Sequence, residues 1–140
     1  MNIPVGERFS TTTVLTPASI AAFARASGDA NPLHHDPSYA RASPFRAIIA
    51  SGPQTSALLM GATATHFSAL GHMVGVEFSF RFRAPVFVGA VRLEWLIVAS
   101  RYSTRLGGYW VDLRGRAVRP DGLTAVGAKG RVLVRSASER

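Results

Sequence analysis

A chain of 140 residues in which 47% of side chains are hydrophobic and 17% charged has the composition of a folded domain, which excludes a disordered polyelectrolyte. Cysteine is absent, so disulfides, a thiol nucleophile and a cysteine-ligated metal are excluded as well. Sixteen Lys and Arg against eight Asp and Glu give a formal charge of +8, with Lys129 the single lysine, and such a surplus suits anionic partners.

The length predicts one domain over residues 1–140. The opening MNIPVGERFS has no basic segment followed by an apolar run, so no signal peptide is expected, and the expected compartment is the cytoplasm. Residues 7–15 are rich in Thr, Val and Phe and predict a strand. Thr16-Pro17 places a hydroxyl at an N-cap and proline at the first helical position. The helix that starts there carries Ile20, Phe23 and Ala24 on one face and is expected to close at Gly28.

Residues 28–46 crowd two Asp, two His, three Pro and one Asn into an irregular polar segment. Within it, Asn31-Pro32 marks a turn, and Asp36-Pro37 reads as the cap and first residue of a short helical turn through Ala42. Ser51-Gly52-Pro53 then opens a long helix to about Leu70. From Ala47 to Val76 there is no Asp, Glu, Lys or Arg, yet Ser, Thr, Gln and His make the stretch too polar to face lipid. It therefore predicts a helix buried on nearly every side. Leu58, Leu59, Ala62, Phe67 and Leu70 would supply its contacts, and the small residues Ala57, Gly61, Ala62 and Ala64 would let a sheet come close.

After Gly71 the period changes to two. Val74, Val76, Phe78, Phe80 and Phe82 predict the buried face of a strand, with Arg81 and Arg83 on the other side. Alternation around Val91 to Ile97, Tyr109 to Ala117 and Val126 to Val134 predicts three more strands. Turns at Gly107-Gly108 and Pro120-Asp121-Gly122 join them, and residues 136–140 read as a polar tail. The order is strand, helix, polar loop, long helix and four meander-like strands, which excludes a doubly wound parallel sheet. It predicts an α+β fold in which an antiparallel sheet wraps one long central helix.

Chemistry concentrates in the polar segment. Asp29 and His34 put a carboxylate and an imidazole five residues apart, groups that together can hold and deprotonate a water. Gly52 at a helix N-terminus offers an unobstructed N–H and the positive end of a dipole, suited to an oxyanion or enolate. Asn31 reads as a turn former that fixes the loop and Asp36 as a helix cap. His35, His66 and His72 show no ligand spacing, so no metal is expected, nor any other cofactor. Arg81 and Arg83 lie on the face opposite the Phe residues, which argues against a nucleic-acid reader. No membrane partner is expected.

The run Ala26-Ser-Gly-Asp-Ala-Asn-Pro-Leu-His-His-Asp-Pro-Ser-Tyr-Ala40 resembles the motif of the MaoC-like, (R)-specific enoyl-CoA hydratase (hydratase 2) family. Ser27, Gly28, Asp29, Asn31, Pro32, His34 and Asp36 match its pattern, and Gly52 matches the glycine that opens its long helix. Phe80 to Gly89 is similar to its later strand and turn. The resemblance implies the hot-dog fold and a hydro-lyase that adds water to a trans-2-enoyl thioester, giving an (R)-3-hydroxyacyl product. It implies Asp29 and His34 as the catalytic pair, with Gly52, Asn31 and Ser51 on the substrate side. It also implies a coenzyme A or acyl-carrier-protein thioester as substrate, some arginines at the pocket mouth for coenzyme A phosphates, and a homodimer or higher homo-oligomer. Three positions depart from the pattern: Ser51 replaces the histidine before the helix glycine, Met60 stands near a frequent serine, and Ala90 follows Gly89 in place of Asp. Two rival readings remain: an acyl-CoA thioesterase of the same fold, against which residues 53–70 offer no Asp or Glu, and a non-catalytic acyl-binding partner subunit.

Overall fold

The computed structural model describes residues 1–137. The elements are β1 (Arg8–Leu15), α1 (Pro17–Ala26), a 3-10 turn (Pro32–His34), α2 (Pro37–Ala42), α3 (Gly52–Ser68), β2 (Gly71–Phe82), β3 (Gly89–Ser103), β4 (Gly108–Val118) and β5 (Thr124–Ser136). Ser136 therefore ends a strand, and residues 138–140 of the expected tail lie outside the described residues.

The five strands form one antiparallel sheet in the order β1-β3-β4-β5-β2. This corrects the expected four-strand meander. Only β3, β4 and β5 follow one another in space, while β2 pairs with β5 at the far edge. The link from β2 to β3 is anchored at both ends. Arg83 N and Ala84 N donate to Ala125 O, and Val86 O accepts from Ala50 N at 2.8 Å. The segment before α3 is thereby stitched to the end of the sheet.

On the inner face of the sheet large rings are paired with glycines. Trp95 on β3 lies opposite Gly115 on β4, where a Cβ would sit 2.5 Å from the indole. Phe78 on β2 lies opposite Gly130 on β5, where a Cβ would meet the ring at 2.6 Å. Rings lying flat over bare backbone leave room for α3. The Trp95 Nε1–H reaches into that helix and donates to Leu59 O at 2.9 Å, so the buried indole leaves no unpaired donor. Val91, Leu93, Ile97, Val111, Leu113, Val126, Val132 and Val134 complete the core, in the alternation expected for β3 to β5.

Two expectations about burial fail. First, α3 has two unlike faces. Leu59, Ala62, Thr63 and Phe67 meet the sheet, whereas Ala57, Gly61, Ala64 and Thr65 are exposed, Met60 is 40% exposed and Leu70 lies open too. Of the small residues, Ala62 meets the sheet while Ala57, Gly61 and Ala64 point away from it; a Cβ added at Gly61 would meet nothing within 4 Å. Second, β2 changes phase. Its register against β5 shifts between Gly75 and Glu77, so Val76 is an extra residue. Met73 faces inward before the bulge and Phe78 and Phe80 after it, leaving Val74 57% exposed. No helix of the described residues is long and apolar enough to cross a membrane.

Candidate active site

The site is built by local rules. Thr16 and Ser19 cap the start of α1 reciprocally. At its end, Gly28 takes a positive φ of 76° and donates to Arg25 O, and Asp29 N donates to Ala24 O at 2.8 Å. This is a Schellman closure, and it fixes the backbone of Asp29 as the helix ends. Asp29 Oδ1 accepts from Asn31 N at 2.9 Å, and Asn31 Oδ1 accepts from Leu33 N at 3.1 Å. These two Asx turns start the 3-10 turn that carries His34. Asp36 caps α2 as expected, accepting from Ser38 N and Tyr39 N.

His34 is the convergence point. Its Nδ1 lies 2.7 Å from Ile49 O, and a carbonyl only accepts, so Nδ1 carries the proton. The other ring nitrogen, Nε2, lies 3.4 Å from Asp29 Oδ2. His34 is 6% exposed and Asp29 28%, so the imidazole is walled in while the carboxylate is partly open to solvent. In the neutral ring both facing atoms are acceptors. They are too far apart for a tight bond and well set to share one water through its two hydrogens.

Ile49 is also three residues before Gly52, so its bond to His34 holds the imidazole within roughly 10 Å of chain from the α3 N-terminus. Ser51 is buried and caps the helix, accepting from Gln54 N at 3.2 Å. Gln54 N and Thr55 N also reach Ser51 O, and Pro53 has no N–H. Of the first turn's donors, the Gly52 N–H is therefore left without an acceptor among the described residues. A Cβ at Gly52 would sit 3.1 Å from the Phe82 ring. An apolar cavity of about 480 Å³ opens here, lined by Phe45, Ile49, Gly52, Phe82 and Val86 and bordered by Arg83.

The structure thus brings Asp29 and His34 together and places Gly52 on the same stitched segment. Asn31 is exposed and acts through its backbone and side-chain turns, and Ser51 acts as a cap. Met60 lies on the exposed face of α3. Sequence reasoning missed three participants. The Ile49 carbonyl sets the His34 tautomer, His35 Nε2 sits 2.8 Å from Asp29 O, and Phe82 stands over Gly52. A backbone carbonyl leaves no side-chain signal, and Phe82 had been read only as a core residue. No group of three His, Asp or Glu among the described residues is placed to hold a metal ion.

Comparison with known proteins gives a consistent result. The family described as MaoC like domain matches residues 3–101. The chain is 34% identical over 87 residues to the mitochondrial 3-hydroxyacyl-[acyl-carrier-protein] dehydratase of Arabidopsis thaliana, covering 62% of this chain and 51% of that protein. It is 33% identical over 88 residues to the (R)-specific enoyl-CoA hydratase of Aeromonas caviae, covering 63% of this chain and 65% of that protein. The matches thus span about half to two thirds of those relatives. Among solved structures, the (R)-hydratase of A. caviae involved in PHA biosynthesis superposes with a TM-score of 0.84 at 28% identity, covering 94% of this chain and 97% of that one. The R-hydratase PhaJ1 of Pseudomonas aeruginosa superposes at 0.86 and 25% identity, covering 96% and 83%. The hot-dog architecture expected from the sequence is the one these structures share.

Proposed function

The chain belongs to the MaoC-like domain family, and from that premise we propose that it is a hydro-lyase acting on acyl thioesters, adding water across a trans-2-enoyl group to give an (R)-3-hydroxyacyl product or running the reverse dehydration. The observation that carries the reading is the pair of acceptors, Asp29 Oδ2 and His34 Nε2, set 3.4 Å apart with the imidazole buried and the carboxylate partly exposed. One water held by both hydrogens turns its oxygen lone pair toward the bound substrate. As that oxygen bonds to the β-carbon, a water O–H bond breaks and the pair takes the proton. Electron density moves from the double bond onto the thioester oxygen, where the Gly52 N–H is the donor. The pair then returns a proton to the α-carbon. One such backbone donor contributes about 3 kcal/mol to the barrier reduction, and acid–base work roughly 10²–10⁴-fold. The Ile49 carbonyl keeps the imidazole in the tautomer that leaves Nε2 free. The cavity beside Gly52 suits the apolar acyl chain. Asn31 and Ser51 support the site by positioning Asp29 and the α3 N-terminus.

The reading includes a homodimer or higher homo-oligomer. The uncharged outer face of α3, with Ala57, Met60, Gly61 and Ala64 bare, is the kind of apolar surface a second copy covers. Light scattering is expected to give at least twice the 15.0 kDa chain mass, and Gly61→Arg to shift it toward monomer. The catalytic reading is tested with a short trans-2-enoyl-CoA: conjugated absorbance is expected to fall, with the (R)-3-hydroxyacyl product on chiral analysis. Release of free thiol without hydration would assign a thioesterase instead, and neither reaction would assign a non-catalytic subunit.

A further inference from the structure

The outer face of the sheet carries a second recess. On this face Lys129 of β5 has Ser79 and Arg114 as lateral neighbours, and Gly127 has Arg81 and Arg116. With strands about 5 Å apart and alternate residues about 7 Å apart, the Cα atoms of Arg81, Lys129 and Arg114 fall within roughly 12 Å. Arg83 folds over Gly127, its Nε 3.8 Å from where a Cβ there would stand. The bare glycine is the floor of a groove of about 580 Å³, and its lining contains no Asp or Glu.

Other arginines have acidic partners: Arg92 and Arg116 share Glu94, Arg119 pairs with Asp121, and Arg101 and Arg131 share Asp112. Arg81, Arg83, Arg114 and Lys129 form no ion pair among the described residues. Four exposed cations around a glycine floor repel one another until an anion enters. Guanidinium forks on the walls match phosphate oxygens in shape and charge. Arg83 also borders the apolar cavity beside Gly52, so it is shared by the two recesses.

We propose that this groove binds the nucleotide phosphates of a coenzyme A thioester, with Arg83 marking the passage from the acyl cavity to the outer face of the sheet. The inference rests on the thioester reading above and names the carrier. A recess with cations on its walls fits a phosphorylated small molecule; an acidic carrier protein would meet a broad raised surface.

The test compares a short trans-2-enoyl-CoA with the same acyl group on pantetheine, which has no phosphate, in wild type and in Arg114→Gln/Lys129→Gln. The double variant is expected to raise KM for the CoA thioester about ten-fold or more, with kcat within about two-fold and the pantetheine KM unchanged. Adenosine 3′,5′-bisphosphate is expected to bind wild type calorimetrically and to lose that binding in the variant, whereas Arg25→Gln on α1 keeps it. An unchanged CoA KM, an equal rise for both thioesters, or a rise confined to an enoyl-acyl-carrier protein would overturn the proposal and leave the hydratase reading intact. If wild type hydrates neither thioester, the hydratase reading fails, and the bisphosphate titration decides the groove alone: binding lost in the variant supports it, and no binding overturns it.

Discussion

The sheet with α3 and the segment of residues 28–51 are held together by different forces. The first buries Trp95, Phe67, Leu59 and a dozen aliphatic side chains and depends on volume. The second is polar and half exposed; it is fixed by a Schellman closure, two Asx turns, a capped short helix and two bonds to the Ile49 backbone. The contrast teaches where stability and chemistry separate. A well-packed core tolerates little change in volume, whereas a loop defined by backbone bonds can bring a carboxylate and a buried imidazole together without drawing on that core.

Substitutions break or sharpen the contrast in a graded way. The largest effect is expected from Asp29→Asn and His34→Ala, each lowering kcat by roughly 10²–10⁴-fold. Thermal melts of Asp29→Asn should stay near wild type, because the amide oxygen can still accept from Asn31 N. Gly52→Pro removes the free N–H at a helical position where proline is tolerated, and is expected to cost about 10²–10³-fold in kcat. Gly52→Ala keeps the N–H while placing a carbon against Phe82, so its kcat should fall far less; equal losses would make the effect steric. In the sheet, Gly115→Val drives a side chain into the Trp95 indole and is expected to destabilise by about 1–3 kcal/mol. Its Tm should drop by several degrees, with activity per folded molecule preserved.

The smallest effect concerns Asp112. Hydrogen bonds from Arg131 hold its carboxyl below the usual range, with Arg131 raised in turn. A depressed folded-state value stabilises above the unfolded pKa, about 4, and that contribution fades as pH falls through the lower folded value. Wild type is therefore expected to exceed Asp112→Asn by up to about 1 kcal/mol at neutral pH, with the two curves converging in strong acid. Chemical denaturation across pH 2–7 reads the difference, and a gap that persists at the acid end would contradict it.

Legibility in the sequence follows the same division. The irregular segment was readable because its signals are local: Thr16-Pro17, Gly28, Asn31-Pro32 and Asp36-Pro37 each fix a backbone conformation within a few residues. The inward residues of β3 to β5 were readable because the register shifts in the β3–β4 and β4–β5 pairings fall after Ile97 and after Ala117, at the ends of the alternating runs. The β2 expectation failed because one extra residue, Val76, reverses the faces without disturbing the apolar spacing. The strand order failed because pairing across a sheet is non-local, and nothing between Phe82 and Gly89 announces that β3 lies away from β2. The uncharged α3 pointed to burial on all sides, whereas one of its faces is exposed in this chain. The Ile49 carbonyl that orients His34 was invisible because backbone groups are the same in every residue.

The central claim is that Asp29 and His34 work as one unit on one water. A double-mutant cycle tests it: kcat for hydration of a short trans-2-enoyl-CoA in wild type, Asp29→Asn, His34→Ala and the combined variant, each confirmed folded. Acting as a unit, the pair loses its function when either member goes, so the combined variant should be about as slow as the slower single variant. Losses that multiply, or activity that survives both substitutions, would contradict the account.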